Sequence, residues 1–140
     1  MKTITGDILD ITTGVICHQV NCQRVAGAGL ALQIRRKYPE WYHVFMVTVP
    51  WLGKTKILRV TPELYVANLY AQNGYGTDKR YTNYAALGKC LMQLDAIFRD
   101  IPIDIYFPYG IGCGLAGGDW SIVEEIIKDA LPNAIIVQLP

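Results

Sequence analysis

The sequence predicts an α/β protein, a three-layer α/β/α sandwich with a mixed central sheet. Three patterns lead there. Short apolar, β-rich runs alternate with segments of helical periodicity along much of the 140 residues. Two β-rich runs, Lys56–Val60 and Leu64–Tyr70, are parted by little more than Thr61-Pro62. They read as a hairpin or two neighbouring strands, which argues against a purely parallel sheet. Two glycine-rich stretches each fall between a strand and a helix, at the strand ends where open α/β sheets gather ligand contacts.

Taken in order, Lys2–Thr5 is a short strand ended by Gly6-Asp7. Ile8–Gly14 is a connection with room for a helical turn. Val15–Gln19 is apolar on both faces and reads as an interior strand. The turn through Gly27 and Gly29 leads into a helix over Gly29–Tyr38, with Leu30 and Ile34 at helical spacing and basic residues near its C-terminus. Pro39 stops it. Glu40–Val49 stays open between helix and strand, and Pro50–Lys54 is a turn. Gln72–Tyr81 is a polar, glycine-bearing loop after a strand. Asn83–Phe98 is the clearest helix: Leu87, Leu91, Leu94 and Phe98 form one stripe, with Thr82 as the expected N-cap. Ile103–Phe107 is a strand, Pro108–Gly118 the second glycine-rich loop, and Asp119 a cap for the helix Trp120–Ala130. Ala134–Leu139 closes the chain as a strand. No linker or repeat divides it, so residues 1–140 are read as a single domain.

Composition narrows the function. Half the residues are hydrophobic, enough for a sizeable core, and 13 basic residues nearly balance 12 acidic ones. No general nucleic-acid-binding field follows from that balance. An anion site must be local, built from backbone N–H groups and helix ends. Cys17, Cys22, Cys90 and Cys113 include no C-x-x-C pair, and His18 and His43 do not complete a zinc set. Free thiols, no metal and no cofactor are expected. The N-terminus lacks the apolar run of a signal peptide, and no stretch reaches the roughly 20 apolar residues of a membrane span. A cytoplasmic protein without membrane contact is the expectation.

The first glycine turn has two readings, a phosphate cradle or tight packing. The ordered set Gly6-Asp7-Ile8, Asn21 with Gly27-Ala-Gly-Leu30, and Pro108-Tyr-Gly-Ile-Gly-Cys-Gly-Leu115 resembles the macro domain family of ADP-ribose-binding modules, across essentially the whole chain. It is most similar to the compact branch of ADP-ribose-1''-phosphate phosphatases and terminal ADP-ribose glycohydrolases. The resemblance implies that Asp7 accepts a hydrogen bond from adenine and that Ile8 lines its pocket. Asn21 would face the distal ribose, and Gly27, Ala28, Gly29 and Leu30 would wrap it. Gly110, Ile111, Gly112, Cys113 and Gly114, followed by Leu115, would bind the diphosphate through main-chain N–H groups. Tyr109 or Tyr70 would pack on sugar or base, with Tyr70 also readable as core.

The same resemblance locates departures. Glycohydrolases of this family use a lysine where this chain has Gln72, and an aspartate where it has Ala116. Covalent attack by that route therefore lacks both partners. His18 and Asp119 are the remaining candidates for acid–base work, against plainer roles as a bonded core histidine and a helix cap. The implied function is an ADP-ribose-binding module that removes the 1''-phosphate from ADP-ribose-1''-phosphate. Two alternatives stand: a hydrolase that de-ADP-ribosylates protein or nucleic acid, and a non-catalytic binder of phosphate or nucleic-acid ends. ADP-ribose, its 1''-phosphate and ADP-ribosylated macromolecules are the expected partners.

Overall fold

The computed structural model describes residues Met1–Pro140. Six strands form one sheet: β1 (Lys2–Thr5), β2 (Gly14–Asn21), β3 (Thr55–Thr61), β4 (Leu64–Gln72), β5 (Ile105–Pro108) and β6 (Ile135–Gln138). Their spatial order is β1-β6-β5-β2-β4-β3. Every pairing is parallel except β3 with β4, so the sheet is mixed. The Pro62-Glu63 connection forces that reversal, because only an antiparallel partner can be reached in two residues.

Four helices cover the two faces: α1 (Gly29–Lys37), α2 (Pro39–Val47), α3 (Tyr84–Phe98) and α4 (Trp120–Ala130). Period-two alternation in β2 and β4 divides the core. Val15, Cys17, Ala67, Leu69 and Ala71 meet the α3 stripe and Val123 and Ile127 of α4. Ile16, Val20, Leu64, Val66 and Tyr70 meet Ile34 of α1 and Trp41 and Phe45 of α2. Burying one leucine-sized side chain contributes roughly 1.5–3 kcal/mol, so both layers are needed to hold the sheet. No helix is long and apolar enough to cross a membrane.

The structure resolves the open segment and moves some boundaries. Pro39 does more than stop α1. It occupies the first turn of α2, where its missing N–H costs nothing and its fixed φ suits a helix. Residues 39–47 are thus helical, with Trp41 and Phe45 facing inward one turn apart and wholly buried. The connection after β1 contains a 3-10 turn, Ile8–Asp10. Thr82 is not the cap of α3. Asn83 is, its side-chain oxygen accepting from the Ala86 N–H at 2.9 Å. The fifth strand begins two residues later than expected and runs through Pro108.

Chain direction creates the crevice. After β2 the chain passes to the α1/α2 layer, whereas after the neighbouring β5 it passes to α4 on the opposite face. The loops leaving these two strands therefore diverge and leave an opening at the strand C-termini, the switch point where open α/β sheets bind ligands.

Candidate functional site

A cavity of about 640 Å³ fills that opening, within the roughly 300–1,000 Å³ span of small-molecule sites. Both glycine loops line it: Gly27, Ala28, Gly29 and Leu30 from the first, and Tyr109, Gly110, Ile111, Gly112, Gly114 and Leu115 from the second. The C-terminal half of β2, His18–Asn21, forms part of the wall. No Lys, Arg, Asp or Glu side chain lines it.

The first loop delivers the N-terminus of α1. Ala28 is its N-cap residue and makes no side-chain capping bond. The first N–H groups of the helix have no partner in the preceding turns and carry the positive end of its dipole. Gly29 permits this entry with φ +58°. Asn21 shapes the loop rather than projecting from it. Its Oδ1 accepts from the N–H groups of Gln23 (3.0 Å) and Val25 (3.1 Å), and its Nδ2 donates to Val25 O (2.8 Å). Most of its hydrogen-bonding capacity is thus spent on the loop itself, although the residue borders the cavity.

The second loop exposes alternate amides. The N–H groups of Ile111 and Cys113 bond to Pro108 O and Gly110 O, whereas those of Gly110, Gly112, Gly114 and Leu115 make no hydrogen bond within the protein. The expected row of donors from Gly110 to Gly114 therefore loses Ile111 and Cys113, because a tight turn must satisfy its own backbone first. Gly112 has φ +73°, and a Cβ there would stand 2.7 Å from Gln19 Oε1. Only glycine fits that close approach.

Four expected residues lie away from the cavity lining. Asp7 caps the 3-10 turn, accepting from the Leu9 N–H at 2.9 Å. Ile8 is buried in the core against the α1/α2 layer. Cys113 turns its thiol to Ile111 O, and burial raises its pKa, so it is a protonated thiol. Asp119 caps α4, accepting from both the Ser121 N–H and hydroxyl; these bonds hold its carboxyl below the usual range. Tyr70 is core, 1% exposed, while Tyr109 is half-exposed at the cavity beside Trp120.

The remaining wall comes from the β4–α3 loop, with Tyr75, Gly76 and Thr77, and from Gln72 and Ala116. The latter two, marked as departures, thus do face the cavity. Lys79 does not line it; its ammonium lies 5.2 Å from the Tyr81 ring centroid. No three His, Cys, Asp or Glu side chains gather as a metal ligand set.

His18 is 2% exposed and sits beside Asn68 across the β2–β4 register. Its Nε2 is 2.7 Å from Asn68 Oδ1, which also accepts from Trp41 Nε1 at 2.8 Å. Burial lowers its pKa to about 4, only partly opposed by the Asn68 bond. The ring is neutral near pH 7, so it offers no imidazolium to act as an acid toward a leaving group. Neither Asn68 nor Trp41 stood out in the sequence, since each lies far from position 18 along the chain.

No family model matches the chain. An uncharacterized 17.5 kDa protein from the tk-vs intergenic region of Enterobacteria phage T4 is 30% identical over 139 residues, covering 91% of this chain and 87% of that protein. A DNA ADP-ribosyl glycohydrolase of Mycobacterium tuberculosis is 25% identical over 146 residues, which cover 97% of this chain but 41% of that longer protein. Among solved structures, a protein of unknown function from Bacteroides thetaiotaomicron superposes with a TM-score of 0.83 at 31% identity, covering 99% of this chain and 96% of that one. The macrodomain of Mycobacterium tuberculosis DarG superposes with a TM-score of 0.81 at 26% identity, covering 100% and 97%.

Proposed function

This chain belongs to the macrodomain family, and from that premise we propose that its cavity binds ADP-ribose by main-chain amides. One observation carries the reading. An uncapped helix N-terminus and four free loop N–H groups border a single cavity that has no charged side chain. Such a lining suits a diphosphate, whose charge is spread over several oxygens, because oriented N–H dipoles stabilise it without a competing cation. The apolar lengths of Val20, Val25, Leu30 and Ile111 suit the flat faces of the nucleoside and sugar. The mycobacterial relative, named a DNA ADP-ribosyl glycohydrolase, points to the same ligand group.

Catalysis is a second and narrower reading. Cleavage through a lysine adduct has no residue to carry it: Gln72 and Ala116 hold the places of nucleophile and acid. Removal of a 1''-phosphate would rest on His18, the one imidazole in the wall. As a neutral ring it would act by accepting a proton from water, not by protonating the departing sugar oxygen.

Calorimetry tests the binding reading. ADP-ribose is expected to bind more tightly than AMP, since AMP lacks the diphosphate and second sugar. Equal affinities would overturn it. The catalytic reading is checked by phosphate release from ADP-ribose-1''-phosphate: wild-type turnover lost in His18→Ala supports it, and equal rates dismiss it.

A further inference from the structure

Buried polar side-chain atoms are nearly always hydrogen-bonded, so the exceptions carry information. Four such atoms have no partner within this protein: His18 Nδ1, Gln19 Oε1, Asn68 Nδ2 and the Tyr70 hydroxyl. The first two belong to residues that line the cavity, and the last two do not. The unpaired atoms of these two lining residues are acceptors, and their neighbours leave them no alternative.

For His18 the constraint begins at Trp41. An indole N–H can only donate, so the Asn68 atom facing it must be the carbonyl oxygen. That same oxygen faces His18 Nε2 at 2.7 Å, so Nε2 must carry the proton. The other nitrogen, Nδ1, is left with a bare lone pair. For Gln19 the constraint begins at Gly74. Its carbonyl can only accept, so Gln72 turns its NH2 toward it and its Oε1 toward Gln19. Gln19 must answer with its own NH2, which also donates to Thr82 Oγ1, whose hydroxyl proton is committed to Gly112 O. The Gln19 carbonyl oxygen is then left over. Two independent relays, on opposite faces of β2, thus end in unpaired acceptors on adjacent residues.

We propose that His18 Nδ1 and Gln19 Oε1 are the sugar-reading acceptors of the cavity, taking hydrogen bonds from ribose hydroxyl groups, with Trp41, Asn68 and Gln72 as positioning residues. This rests on the ADP-ribose reading and divides the ligand between two chemistries. Main-chain N–H groups take the phosphate oxygens, which can only accept. The two side-chain acceptors take the hydroxyls, which alone on the ligand's sugars can donate. A phosphate oxygen placed against either acceptor would meet a second lone pair and no proton. Both atoms are covered in the free protein, Gln19 Oε1 by the second loop at Gly112, so the contact needs the cavity wall to open as the ligand arrives. His18 stays neutral through the neutral range, which keeps the acceptor available.

Nitrogen-15 NMR of the imidazole tests this directly on the whole chain. In the free protein His18 is expected as the Nε2–H tautomer, with Nδ1 unprotonated, and Trp41→Phe should produce a mixed tautomer by freeing Asn68 to turn. On saturation with ADP-ribose the Nδ1 resonance should move upfield as it accepts a hydrogen bond. His18→Phe, which keeps a ring but removes the acceptor, should weaken ADP-ribose binding about tenfold, the worth of one such bond. A protonated Nδ1 in the free protein overturns the relay. An Nδ1 resonance that stays put while ADP-ribose binds overturns the sugar contact and leaves the binding reading intact. Absence of ADP-ribose binding overturns the functional reading and the occupant with it.

Discussion

The two faces of β2 and β4 are built from the same two strands and differ in kind. Toward α3 and α4 they present Val15, Cys17, Ala67, Leu69 and Ala71, buried and apolar, with Gln19 only at the cavity end. Toward α1 and α2 they present His18, Asn68 and Tyr70 among Ile16, Val20 and Val66. An unpaired buried amide or imidazole costs about 1–3 kcal/mol; the Trp41 and His18 bonds to Asn68 Oδ1 offset part of that on the second face, while His18 Nδ1, Asn68 Nδ2 and the Tyr70 hydroxyl stay unpaired. The rings of His18, Trp41 and Phe45 lie in a row, tilted between the first two (5.2 Å between centroids) and stacked between the last two (4.9 Å), which fits α2 closely over those polar groups. One face supplies stability, and the other holds the cavity wall in a defined hydrogen-bonding state. A residue can therefore be buried equally deeply on either side and still answer to different demands.

That contrast can be broken experimentally. The largest effect is expected on the dry face. Leu91→Ala removes a wholly buried stripe residue and should cost about 2–5 kcal/mol in urea unfolding, with ADP-ribose affinity of the folded fraction unchanged. A matching loss of affinity would show that the faces are not separable. Acidification should weaken the wired face next. The His18 pKa is about 4 when folded and about 6.5 when unfolded. Between these values the unfolded chain binds the extra proton, so stability falls as pH drops, by about 3 kcal/mol across the window. The stability difference between wild type and His18→Phe should carry this slope; parallel pH profiles would reject it. The smallest effect sharpens the dry-face assignment. Asn83→Ala deletes the cap of α3 and should cost about 1 kcal/mol with no change in the acid slope, measured by thermal melts at pH 7 and pH 5.

Much of this was legible in the residues, for reasons that differ by element. The α3 stripe and the β4 alternation are periodic, and period alone identifies them. The α2 segment hid because Pro-Glu-Trp-Tyr-His-Val-Phe-Met-Val offers apolar residues at almost every angle; packing of Trp41 and Phe45, not pattern, makes it a helix. The two glycine loops announced the cavity through their position after strands. Their interior did not show, since which amides a turn consumes depends on dihedral angles, and Ile111 and Cys113 lost theirs to Pro108 and Gly110. Asp7 caps its own turn by accepting from a donor two residues on, a local bond that occupies Oδ1 and leaves Oδ2 free. The partners of His18 were illegible for a plainer reason: they come from 23 and 50 positions away, joined only by sheet register and helix packing.

The cavity has walls of amide, glycine and aromatic carbon and no formal charge. Lysine-lined anion sites attract through net charge, which salt screens, so their affinity falls as electrolyte rises. Peptide dipoles locked by folding act at short range and carry no net charge to screen. If the proposed reading holds, the grip of this cavity on a diphosphate should change little between low and high ionic strength.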